Sequence, residues 1–253
     1  MSLIADAFNH ILAMDVNQDR LVVAAVHKEK KSITSSEVYD LDAFDRESMQ
    51  KFLSEPIFKV EFDGYCLTVG GFRNTVVPVD IFNHSKAKEI FELNFPSPHE
   101  DVDYTRIAEL GLVNVHEMPI WIKSAFIFKL PRTKIVHRST AFLKGVFNGD
   151  TFFPQIHINL FGDKFDMVYA DKRKLRFINA FNFGALSDVV YHTMHFIEQQ
   201  NIEQKNLSIH LYGVKPDWES LSEFESYFSA KIKLGKSIED SEHFILKSQL
   251  LCV

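Results

Sequence analysis

Apolar runs along this chain fall into two stretches that share one layout. Residues 11–16 are apolar except for Asp15, and 20–27 (Arg-Leu-Val-Val-Ala-Ala-Val-His) form a second short run, with Asn17-Gln18-Asp19 between them. Two buried strands joined by a tight turn follow from this pattern, with Asp15 at the mouth of the hairpin. Charged Lys28 to Lys31 lead into a third strand over 32–41, whose serines, threonine and valine suit a pleated edge. Asp45 stands where a helix N-cap is needed, with the helix running to Leu53 and ended by Pro56. Alternation over 57–62 and 65–69 predicts two more strands, and Gly70-Gly71 breaks the run.

The layout then returns. Residues 155–160, 165–170 and 175–180 read as a three-stranded meander with turns at 161–164 and 171–174. A helix is predicted over 187–200, where Leu186, Val189, Val190, Thr193, Met194, Phe196 and Ile197 fall on one broad face. A strand over 207–211 ends at Tyr212-Gly213. Between the copies, 87–95, 120–129 and 139–147 predict helices, and 102–106 and 134–137 predict strands; 218–228 and 243–251 predict helices beyond them. Matching positions are nearly equidistant: Asp15 and Asn159 (159 − 15 = 144), the helix openings at Asp45 and Ser187 (187 − 45 = 142), and Gly70 and Gly213 (213 − 70 = 143). The expectation is a duplicated α/β fold divided into 1–147 and 148–253, the C-terminal helix completing the second half.

Composition narrows the partners. The 253 residues include 24 phenylalanines but only 10 glycines and 8 prolines, which suits a substantial core and short loops. A formal net charge of −6 disfavours nucleic acid, whose binders carry a basic footprint. Cys66 and Cys252 lack metal-type spacing and read as free thiols of a reducing compartment. The first ten residues lack a signal-peptide pattern, and no apolar run approaches the roughly 20 residues of a membrane span, so a cytoplasmic protein is expected.

Three strands, a helix and a strand, occurring twice with helices between, resemble the ribonuclease-H-like duplication of actin-like ATPases. Thr75-Val-Val-Pro78-Val-Asp-Ile-Phe82, Asn179-Ala-Phe181-Asn182-Phe183 with Asp188 and Tyr191, and Leu211-Tyr212-Gly213 are similar to recurring segments of an uncharacterised Bacteroidetes family. That family is a domain of unknown function with an actin-like ATPase fold. Phe183-Gly184 ahead of a helix also resembles the pilus-assembly actin-like proteins. The resemblance implies two subdomains, each a mixed sheet flanked by helices, and a cleft in which two D-x-G hairpin turns grip ATP and its magnesium.

Carried over residue by residue, the implied motifs are eroded. Asp15 matches the first aspartate, but Asn17 stands at the glycine, followed by Gln18 and Asp19. Asn159 matches the second aspartate and Phe161 the second glycine, with Gly162 displaced by one and Asp163 after it. Only Gly213 is left of the adenosine-side glycines. Phosphate cradles need glycine for close backbone approach, and phosphoryl transfer needs preorganised donors. Asp15, Asn17, Asn159, Gly162 and Gly213 are therefore expected to line a vestigial nucleotide cleft. No cofactor or metal is expected, and the expected role is a non-hydrolysing scaffold for a protein partner.

Two alternatives stay open. One is an enzyme that binds or hydrolyses ATP through Asp15 and altered loops. The other is a metal-dependent nuclease in which Asp15 joins Glu61 or Asp63 to hold metal. His192 and His195 on the polar side of their helix, the basic turns 28–31 and 172–176, and Phe152-Phe153 after a turn are weaker candidates for a metal or a contact surface.

Overall fold

The computed structural model describes residues 6–97, 99–213, 218–234 and 243–253. It has two compact units, Met1–Gly145 with Ile245–Val253, and Val146–Phe244.

In the first unit β1 (His10–Val16), β2 (Arg20–His27) and β3 (Ile33–Asp40) form an antiparallel meander. β1 is buried along its whole length, as expected for an apolar strand with neighbours on both sides. Asp45 caps α1 (Arg46–Phe52) by accepting the Ser48 N–H at 2.8 Å, a bond that lowers its carboxyl pKa. The strand expected over 57–62 is absent. Pro56 instead opens a 3-10 turn, Pro56–Lys59, that buries Ile57 and Phe58; proline has no N–H to give a ladder.

β4 (Gly64–Val69) runs parallel to β1. After it β5 (Asn74–Pro78), α2 (Ala87–Glu92), β6 (Val102–Ile107) and β7 (Leu112–Glu117) build a separate antiparallel sheet in the order β5-β7-β6. Phe91 of α2 packs on Val113 and Val115. α3 (Ile120–Lys129), β8 (Thr133–His137) and α4 (Arg138–Phe147) return the chain to the main sheet, whose order is β3-β2-β1-β4-β8. Asn114 of β7 fastens the small sheet to α4: its amide donates to Ser139 Oγ and Thr140 Oγ1, both at 2.9 Å, and accepts from Asn74 at 3.0 Å.

The second unit repeats the plan. β9 (Gln155–Phe161), β10 (Lys164–Asp171) and β11 (Lys174–Asn182) form the meander, α5 (Leu186–Gln199) follows, and β12 (Ser208–Tyr212), α6 (Trp218–Ser226) and β13 (Lys231–Leu234) complete it. The sheet order β11-β10-β9-β12-β13 matches that of the first unit position for position.

The duplication is written into the hydrogen-bond registers. Asp15 faces Val22 and Thr68, and Asn159 faces Asp166 and Tyr212, so all three strands share the offset of 144 (22 + 144 = 166; 68 + 144 = 212). Even the β-bulge recurs, between Ala25 and Val26 in one copy and between Tyr169 and Ala170 in the other. The turn after the second strand is two residues shorter in the second copy, which moves the third strand to an offset of 142 (Val38 and Ala180). The helices begin at Arg46 and Leu186, 140 apart (186 − 46 = 140), not 142 as the sequence pattern suggested.

The C-terminal segment corrects the expected division of the chain. α7 (Phe244–Ser248) leads into 249–251, and the Gln249 side chain reaches β1 and β4: it accepts from Met14 N at 3.1 Å and donates to Met14 O at 2.7 Å and Thr68 Oγ1 at 2.9 Å. Residues 245–253 thus complete the first unit and not the second. A buried carboxamide satisfied at both ends, with Leu246 packed on Ile11, Ala13, Ala24 and Val26, holds them there.

Candidate functional site

Asp15 lies at the C-terminal end of β1, beside Thr68 of β4. Its Oδ1 accepts the Thr68 hydroxyl at 2.6 Å and its Oδ2 accepts Arg138 Nη1 at 2.6 Å. Arg138 is the first residue of α4, and Gly70 makes room for it: a Cβ on Gly70 would sit 3.1 Å from Arg138 Cδ. Both partners are buried, Asp15 at 8% exposure and Arg138 at 5%. Burying a carboxylate demands such neutralisation, and short charge-assisted bonds of this kind are strong. Both carboxylate oxygens are therefore engaged by protein donors.

Asn17 is equally occupied. Its Oδ1 accepts the backbone N–H of Asp19 at 3.3 Å and of Arg20 at 2.9 Å, closing the β1–β2 turn as an Asx-type turn. Those amides face the protein's own side chain. In the second unit Gly162 and Asp163 make the β9–β10 turn, with Gly162 at φ +54°, while Phe161 is buried. Gly213 has φ +82°, and a Cβ there would lie 2.0 Å from Leu160 O, so only glycine fits. Residues 214–216, which follow it in the adenosine-side segment, lie outside the described residues.

Asn159 differs from Asp15 in a way its sequence position does not announce. It is fully buried, and among the described residues neither its Oδ1 nor its Nδ2 has a hydrogen-bond partner. Its Oδ1 lies 3.1 Å from where a Gly213 Cβ would be. An unpaired buried amide is expensive, roughly 1–3 kcal/mol per group.

The other sequence candidates disperse. Asp63 pairs with Lys28 at 2.7 Å and its N–H bonds His10 O, at the end of β1 away from Asp15. Asp15 is five steps along the strand from His10, about 16 Å, so Asp63 and Asp15 do not meet. Glu61 is exposed. Among the described residues no group of three or more His, Cys, Asp or Glu is placed to hold a metal. His192 is not on an open polar face: its ring packs on Phe181 at 4.5 Å, while His195 stacks on Tyr191 at 5.9 Å. Phe152 and Phe153 are exposed, with Arg173 of the basic β10–β11 turn 5.9 Å from the Phe152 ring centre.

Sequence reasoning missed Arg138, Thr68 and Gln249 because they meet Asp15 and Met14 only through the sheet. Arg138 is 123 residues from Asp15, and no local spacing links them. It also missed two stacked histidine pairs. His116 and His137 lie 5.2 Å apart in the first unit, and His157 and His210 lie 4.5 Å apart in the second. Burial lowers the pKa of all four, to about 4 for His116 and His210 and about 3 for His137. His137 holds one tautomer, donating from Nε2 to Phe72 O at 3.0 Å and accepting at Nδ1 from Ser139 N at 3.2 Å.

Two like-built units, each with a five-stranded mixed sheet and flanking helices, define an actin-like ATPase fold. A protein from Bacteroides thetaiotaomicron, described as having an actin-like ATPase fold and unknown function, superposes with a TM-score of 0.85 over 100% of both chains at 14% identity. The PilM-PilN type IV pilus biogenesis complex matches with a TM-score of 0.62 at 9% identity, over 95% of this chain and 97% of that one. The ethanolamine utilization protein EutJ from Carboxydothermus hydrogenoformans gives 0.56 at 7%, over 96% and 90%. A search of the curated proteins finds no match. Residues 4–230 match the family model described as a protein of unknown function, DUF3822, and the chain belongs to that family.

Proposed function

We propose that this chain is a protein-binding module on an actin-like frame that does not hydrolyse ATP. The observation that carries the reading is the state of Asp15, whose two oxygens are held by Thr68 and Arg138 at 2.6 Å. A carboxylate that positions hydrated magnesium works through its negative charge, and this one already has that charge paired with an internal guanidinium. Asn17 adds to the argument by occupying turn amides that a phosphate would need. The pilus relative of the same fold was solved as a complex, which supports assembly as a use for this frame. The working site is then a protein surface, in the cytoplasm.

Calorimetric titration with magnesium-ATP tests the absence of catalytic chemistry, with no micromolar, magnesium-dependent binding expected. Such binding, abolished by Asp15→Ala, would overturn the reading. Affinity capture from the native cell, followed by reconstitution from purified components, tests the protein partner.

A second reading has one observation in its favour. Among the described residues the Asn159 amide beside Gly213 has no partner and is suited to a ligand that donates and accepts a hydrogen bond, so ATP binding without hydrolysis is the alternative. In that case Asn159→Leu would remove ATP binding that Asp15→Ala leaves intact, read in the same calorimeter.

A further inference from the structure

α3 is apolar on two sides. Ile122 and Phe126 point into the core of the first unit and are fully buried. On the opposite side, Ile120, Ile127 and Phe128 are 58%, 47% and 91% exposed. Their spacing, i, i+7 and i+8, places them along one outward stripe with Ser124 between. A helix that is apolar nearly all round belongs in a protein interior, and a 91% exposed phenylalanine loses the burial that would normally stabilise it.

The stripe borders a groove of about 510 Å³ between α1 and α3. Leu53, Ala125 and Phe128 supply its apolar lining, and Gln50, Ser54 and Ser124 its neutral polar groups. Its charged lining residues are Arg46 and Lys129, with no carboxylate among the lining, in a chain whose net charge is −6. Neither cation forms an ion pair among the described residues, and both are exposed. The exposed apolar stripe and the locally reversed charge are independent features of one surface.

We propose that the outer face of α3 and the adjoining α1–α3 groove form a docking site for an acidic amphipathic helix of a partner protein. The proposal rests on the protein-binding reading above and locates it. Such a helix would lay its own apolar stripe on Ile127 and Phe128 and aim flanking carboxylates at Arg46 and Lys129. The ten residues of α3 span about 15 Å, enough for roughly three turns of a partner helix. Rim charges of this kind set partner choice, and the exposed aromatic supplies the central anchor.

The test uses the full chain and two synthetic probes. One is a helix of about 18 residues with leucines at i, i+4, i+7 and i+11 and glutamates beside them; the other carries lysines in place of the glutamates. Fluorescence anisotropy is expected to show saturable binding of the acidic probe and at least roughly tenfold weaker binding of the lysine probe. Ile127→Asp with Phe128→Asp is expected to abolish it. Arg46→Glu with Lys129→Glu is expected to reverse the preference toward the lysine probe, an outcome that mere unfolding does not produce. Equal affinity for both probes, no saturable binding, or indifference to the substitutions would overturn the docking site. The Phe128→Asp protein separates the two levels of the argument. If it still captures its cellular partner, this surface is refuted and protein binding stands; if the unaltered chain captures none, the broader reading has failed.

Discussion

Asp15 and Asn159 occupy matching places on matching strands, yet one is held by two side-chain partners and the other has none among the described residues. The difference decides what each tolerates. Removing the cation with Arg138→Met would leave a buried carboxylate uncompensated, and the expected loss is about 3–5 kcal/mol of unfolding free energy by urea titration. Adding Asp15→Asn to Arg138→Met should recover part of that loss, since the charge that needed compensation is gone. Gly213→Ala forces a side chain onto Leu160 O at positive φ and should cost more than Gly162→Ala, where φ is also positive but the surrounding space is open. A difference of at least about 1 kcal/mol in paired melts is expected. Asp15, Asn17 and Gly213 were legible as special positions in the sequence because turns and strand ends advertise themselves. Arg138 was not, because an arginine opening an apolar helix looks like any solvated residue until the strand register brings it to Asp15.

Elements that carry their own periodicity were readable. β1, β2 and β9 to β12 lie within about two residues of the expected spans, and α5 shows its buried face as Val189, Val190, Thr193, Phe196 and Ile197. The small β5-β7-β6 sheet was only a third legible, through β6. β5 is five residues of intermediate or full exposure, and the polar residues of β7 are buried by partners distant in sequence, so neither alternates in the expected way. β7 and β8 also carry the stacked His116 and His137, from which an acid response follows. Their pKa values are lowered in the folded chain, first by desolvation, so the unfolded chain takes up protons more readily. Stability is full above the unfolded value near 6.5 and falls as pH drops toward about 4 for His116 and about 3 for His137. Each imidazole contributes on the order of a few kcal/mol to that fall. Urea melts at pH 8, 6 and 4.5 should show steady weakening, with a flatter profile in His116→Gln.

At the scale of the whole molecule, the near-equal spacing of matching positions was the strongest sequence signal, and the offset of 144 between Asp15 and Asn159 recurs in two strand ladders and a bulge. The ownership of the C-terminal segment was hidden, because helical patterning says where a segment is helical but not which sheet it completes. Gln249→Leu should therefore destabilise the first unit by roughly 1–3 kcal/mol for each buried backbone group it strands on Met14. The effect would appear as an earlier first transition in urea, with the transition of residues 146–244 unchanged. The same glutamine ties the two ends of the chain together. Residues 146–244 form one continuous stretch of chain, while β1 and β4 are joined by a side chain made 235 residues after Met14. The unit that begins the chain is thus also the one that ends it, and a chain lacking Gln249 would leave its first strand without the side chain that closes it.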